Sequence, residues 1–327
     1  MSAPGDGARA RMWEKGGRPG REQAMVPKAE FGSYYGRPVI KRPVWKWDIP
    51  AYFFTGGVMA GCSLLAAGAD LTGNHRLRRA GRLAAAVNIG ASTFFLIHDL
   101  GRPARFLNMM RVLKPTSPMS AGTWLLTAYG PAAGLAAAGE VTGRLPALSR
   151  AAGLAAAAAA PAMATYTAVL IADTAVPSWH DAYRQLPFVF AGSAAASAGG
   201  LAMALVPTAE AGPARRLAVM GAAMDLLAAK QMEQGIGLSA DPYHQGRAGK
   251  LDRWARRLTG GGAAAGALLG RRSRAAAVAS GAALLAGAAC TRFAVFYAGR
   301  QSAEDPKYTV VPQRERLNEG RPVRADD

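Results

Sequence analysis

The sequence predicts an all-α integral membrane protein of about eight transmembrane helices. Three observations carry this. Apolar blocks of about 20 residues recur along the chain, each long enough to cross a bilayer as a helix. The connectors between them are short and rich in charge, Pro and Gly. Half of the 327 residues are hydrophobic, yet mean hydropathy is only +0.06, because the apolar mass is dominated by alanine and the loops are charged.

The blocks fall at 49–69, 82–98, 119–139, 151–172, 186–206, 214–230, 255–270 and 275–298. The first five are apolar throughout. The sixth carries Asp225, the eighth carries Arg292, and the seventh (LTGGGAAAGALLG) is short and glycine-rich, so seven spans also fit. Pro and Gly inside a block argue less against helix in a membrane than in water. Small residues such as Gly56, Gly57, Gly61, Gly192, Ser193, Ser197 and Gly200 let helices approach closely. Four segments follow. Residues 1–30 read as a disordered basic tail and 31–48 as a juxtamembrane segment with enough aromatics to dock on something. Residues 49–300 form the membrane domain and 301–327 a charged tail. Neither an h-region nor a twin-arginine pair opens the sequence, so no signal peptide is expected.

The net charge of +18 lies in loops and tails, where Lys and Arg meet lipid headgroups or partner surfaces; no nucleic-acid partner is expected. Cys62 and Cys290, both in apolar blocks, offer no metal or disulfide framework, and no iron–sulfur cluster is expected in this chain. A b-type haem needs paired histidines within the spans. Of the four histidines, His75 and His244 sit in loops and His98 and His180 at span ends, so no haem is expected.

With an even number of spans both tails share one face. The start of span one (Asp48, Tyr52), the end of span two (His98, Asp99, Arg102) and the ends of spans four (Asp173, Trp179, His180, Asp181) and six (Lys230, Glu233) then fall on that face. The other face keeps simple basic clusters, such as Arg76, Arg78 and Arg79. Secondary transporters place charges near the bilayer midplane at broken helices; the clustering of polar groups at one face argues against that alternative. The most informative stretch is 98–124, HDLGRPARFLNMMRVLKPTSPMSAGTW. Ionisable residues at a span end need water, a partner or a ligand.

This stretch resembles the NrfD-like family of quinone-handling membrane subunits, which serve polysulfide reductase and related molybdoenzymes. WDIPAYFFTGGVMAG (47–61), YTAVLIADTAVPSWHD (166–181), LPFVFAGSAAASAGG (186–200) and DPYHQGRAGKLDRW (241–254) share in the resemblance, which runs from about residue 31 to about 300. The resemblance implies two four-helix bundles, and AYFFTGG (51–57) and PFVFAGS (187–193) do read as one helix opening used twice. It also implies a plasma-membrane anchor that passes electrons between menaquinone or ubiquinone and an iron–sulfur electron-transfer subunit, itself serving a molybdenum-type catalytic subunit. A bare structural anchor without quinone is the third reading.

Quinone exchange needs hydrogen bonds to carbonyl oxygens and groups that carry protons. The candidates are Asp48, Tyr52, His98 and Tyr166 for quinone binding, and Asp99, Asp173 and Asp225 for proton transfer. Arg102, Arg105, Arg111 and Lys114 are candidates for partner docking. Plainer roles stay open: a helix cap for His98 and Asp99, interfacial placement for Tyr52 and Tyr166, a helix end for Asp173, and anionic-lipid binding for the basic loop. Trp124 and Trp179 read as belt residues. For Asp225, an ion pair with Arg292 between helices is the alternative to a proton path.

Overall fold

The computed structural model describes residues 37–318. The expected disordered segment 1–30, and the first residues of the 31–48 segment, lie outside them. Within them the chain is helical, with no strand. Eight long helices follow the eight apolar blocks: α1 (Asp48–Leu71), α2 (His75–Asp99), α4 (Pro118–Thr142), α5 (Pro146–Ala172), α7 (Leu186–Leu205), α8 (Gly212–Gly235), α10 (Gly246–Leu268) and α11 (Arg274–Glu304). Short helices α3 (Arg105–Met109), α6 (Pro177–His180) and α9 (Asp241–His244) and a terminal α12 (Lys307–Asn318) complete the order. Five of the eight (α1, α2, α5, α7 and α11) are long and apolar enough to cross a membrane.

The starts follow from local chemistry. Prolines at the first turn of α4, α5 and α7 cost nothing, because those N–H groups have no intrahelical partner. Asn74 caps α2 by accepting from the Leu77 N–H at 3.1 Å, and Ser273 caps α11 through the Ala276 N–H. Several helices outrun their apolar blocks. Helix α2 begins at His75 rather than 82, and α11 runs on to Glu304, into the segment read as tail. Hydropathy marks where lipid begins, not where a helix does.

Helices α1, α2, α4 and α5 form one ring, with α1 and α4 each packed against α2 and α5. Helices α7, α8, α10 and α11 repeat the ring, and the two bundles meet along α1 and α7. The repeated helix openings therefore sit at the junction. Gly61 makes it possible: a methyl there would lie 2.6 Å from both the Ala194 carbonyl oxygen and the Ala198 side chain. Phe53 and Phe190, from the two openings, pack with ring centroids 6.0 Å apart.

At the end of the first bundle away from the tails, a buried ion cluster ties the four helices together. Arg78 and Arg82 of α2 bind Glu140 of α4 at 2.7 and 2.8 Å. The same two arginines and Arg150 of α5 reach Asp70 of α1 at 3.1, 3.5 and 3.2 Å. This corrects the reading of that face as simple basic clusters, since two buried carboxylates organise it.

The core of the second bundle is filled at its tail-side end, with a recess between residues 37–47 and the outer turns of α10 and α11. Trp179 of α6 is fully buried, donates from its indole to the Val295 carbonyl at 2.7 Å and packs on Phe296. It is a core anchor, not a belt residue. Tyr243 of α9 joins the same apolar cluster and donates to the Ser178 carbonyl. Burial pushes the Tyr243 phenol up, so this plug stays uncharged. Residues 37–47 lie across both bundles as a strap. Trp45 stacks on Trp179 at 6.0 Å, Arg42 pairs with Glu304 of α11 at 2.8 Å, and the Lys46 N–H bonds Asp99 of α2.

Candidate functional site

The tail-side end of the first bundle is hollow where its counterpart is plugged. A cavity of about 190 Å³ opens among α1, α2, α3, α4 and α5 beneath the strap. Its walls are chiefly apolar, including Ile49, Phe53, Leu96, Met109, Leu126 and Leu170, with Tyr52, Asp99, Arg105 and Tyr166 among its polar groups. Beside them stand Trp45 and Thr123, whose hydroxyl already donates to the Met119 carbonyl. Each reaches the cavity by helix geometry. Ile49, Tyr52 and Phe53 follow the 3–4 residue spacing of one face of α1, and Tyr166 and Leu170 do the same on α5.

Tyr52 is buried and Tyr166 half-buried, yet among the described residues neither hydroxyl has a hydrogen-bond partner. Neither is among the fully enclosed polar atoms that lack a partner, so both hydroxyls open on the cavity, where a bound molecule can meet them. The Asp99 carboxylate accepts from the Lys46 N–H at 3.1 Å, which fixes it at the rim. Arg105 donates to the Leu100 carbonyl at 3.2 Å. Gly122 completes the wall, since any side chain there would collide with the Tyr166 ring.

Asp48 and His98 come together beside the cavity rather than on it. The Asp48 carboxylate is fully buried and holds His98 Nδ1 at 2.9 Å, while its second oxygen has no partner. The His98 side chain is 56% exposed and stacks on Phe94. The pair thus links a buried carboxylate to the surface. Asp173 lies exposed at the end of α5, on the Tyr166–Leu170 stripe but past the cavity.

Asp225 belongs to the other bundle, buried on α8. Its expected partner, Arg292, donates instead to the Phe190 carbonyl at 2.7 Å and covers the Phe190 ring at 3.7 Å. Among the described residues the two side chains make no direct ion pair or hydrogen bond. The Phe190 carbonyl and ring face take up only part of the guanidinium and leave Nε and Nη1 without a hydrogen-bond partner; pairing by charge type misplaced this contact.

Of the basic loop, Arg102, Arg111 and Lys114 stand exposed, and Arg105, expected to dock a partner, also lines the cavity. Ser120 and Trp124 pin the loop by donating to the Val112 carbonyl at 3.0 and 3.1 Å. This gives Trp124 a structural task that its interfacial position alone did not suggest. Among the described residues no group of His, Cys, Asp and Glu is placed to hold a metal ion.

An all-α, multi-pass membrane protein with a cavity inside one bundle end and polar groups around it is the class these observations define. Residues 39–227 match the family described as polysulphide reductase, NrfD. The chain belongs to that family. It is also 34% identical over 94 residues to the C subunit of polysulfide reductase from Wolinella succinogenes, a match that covers 27% of this chain and 30% of that relative.

Proposed function

We propose that this chain is the quinone-binding membrane subunit of an oxidoreductase complex, with the ring of the quinone in the cavity between Tyr52 and Tyr166. The observation that carries the reading is the pair of partnerless hydroxyls on a largely apolar wall. A cavity of about 190 Å³ is smaller than the roughly 300–1,000 Å³ of sites for drug-sized ligands; that suits one polar ring with its isoprenoid tail left in the lipid. The quinone, menaquinone or ubiquinone, supplies the two-electron, two-proton couple. The chain's own residues do the rest. Tyr52 and Tyr166 donate to carbonyl oxygens, Asp99 holds or releases a proton at the rim, and the Asp48–His98 pair relays protons to the tail-side surface. Electrons pass between the quinone and an iron–sulfur subunit docked over Arg102, Arg111 and Lys114, which serves a molybdenum-type catalytic subunit in the plasma membrane. The polysulfide reductase relative is, by its name, one chain of a reductase with several chains.

The test is quenching of heptyl-hydroxyquinoline N-oxide fluorescence by purified protein. Wild type binds the inhibitor; Tyr166→Phe and Tyr52→Phe each weaken it about 3–10-fold, the worth of one hydrogen bond of about 0.5–1.5 kcal/mol. Unchanged affinity in both variants would remove the cavity from the mechanism. Purification from native membranes in mild detergent tests the partners: an iron-containing subunit should co-elute in fixed ratio, and a protein that stays alone in several detergents would leave only a structural anchor or a transporter.

A further inference from the structure

A second recess lies at the opposite end of the molecule from the strap, in the cleft where α2 of one bundle faces α7 of the other. It encloses about 560 Å³. Arg79, Leu83 and Val87 share one stripe of α2 at intervals of four, a run of about 12 Å at ~1.5 Å per residue. Leu201 and Leu205 line it from α7. Val87 is 71% exposed and Leu205 53%, and most of α2 faces away from the protein interior, so in a bilayer this cleft opens to acyl chains.

The arginines at its mouth are not equivalent. Arg76 is held by Glu210 at 3.1 Å, and the neighbouring Arg78 and Arg82, which do not line the recess, by Glu140. Arg79 is exposed and among the described residues has no hydrogen bond or ion pair. A free guanidinium at the polar end of an apolar cleft is complementary to a molecule with a negative head and a hydrocarbon tail.

We propose that this cleft binds an anionic phospholipid, its phosphate on Arg79 and one acyl tail along Leu83, Val87 and Leu205. The lipid bridges the two bundles on the leaflet opposite the candidate quinone site, and the proposal does not depend on that site.

Native mass spectrometry of the detergent-purified protein, titrated with dioleoyl phosphatidylglycerol or dioleoyl phosphatidylcholine, tests it. The glycerol lipid should be retained preferentially. Arg79→Gln should weaken it about five-fold, the weight of one basic residue against an anionic headgroup. Leu205→Trp, at an exposed position, should displace it without changing elution. Arg271→Gln with Arg272→Gln, exposed on the same side, should leave it unchanged. Equal retention of both lipids, or equal losses in the Arg79 and Arg271/Arg272 variants, would overturn the site. Full competition by glycerol phosphate would assign it to a free phosphate and likewise overturn the lipid.

Discussion

A side chain added at Gly122 meets the ring of Tyr166, whereas Gly134, on the same helix, has open space around it. Gly122→Ala should therefore push the tyrosine into the cavity, at a cost of about 1–3 kcal/mol of rearrangement, and weaken inhibitor quenching markedly. Gly134→Ala should leave it unchanged. Tyr52, Asp99 and Tyr166 were legible in the sequence because polar types at span ends are unusual enough to stand out. Gly122 and Arg105 stood in the same run of residues, but their contribution was not legible. A glycine shows its purpose only through the ring packed against it, and the side of a loop an arginine faces is set by the fold of α3. His98 shows the converse: its partner Asp48 was named, but the pair lies beside the cavity.

The ion cluster at the far end of the first bundle sets how firmly α2 and α4 are joined. The Arg82 and Glu140 side chains are 6% and 8% exposed, so salt screens the contact little. Glu140→Ala leaves Arg78 and Arg82 with Asp70 as their remaining carboxylate, and removing one member of such a buried cluster costs up to about 3–5 kcal/mol. Thermal unfolding followed by size-exclusion chromatography should show a clear loss of stability that added salt does not reproduce in wild type. At this scale the sequence told most about existence and order, since all eight apolar blocks became helices. It told least about extent. The arginines of α2 look like a loop by hydropathy, yet they lie in helix and meet carboxylates from two other helices, Asp70 nearby in sequence and Glu140 about sixty residues away. The helix openings at 51–57 and 187–193 were legible as a repeat; that they would meet face to face followed from small residues, Gly61 above all.

The strap and the plug belong to the molecule as a whole. Trp45 and Trp179 stack where the strap crosses from one bundle to the other, and truncating the buried Trp179 should cost about 3–5 kcal/mol. Trp45→Ala, at a partly buried position, should cost less and loosen the rim around Asp99. Inhibitor dissociation rates would report it: faster release in Trp45→Ala, with an unfolding temperature lowered less than in Trp179→Ala, is the expected outcome.

Two rings of helices with one hollow end have an arithmetic consequence. A repeated architecture offers two equivalent berths, and Trp179 with Tyr243 closes one of them, so ligand binding should saturate at one equivalent per protein molecule and without cooperativity. Equilibrium dialysis against a labelled inhibitor counts this directly. A second equivalent, or a sigmoidal curve, would mean that the plug yields and that the two halves of the molecule still act as a pair.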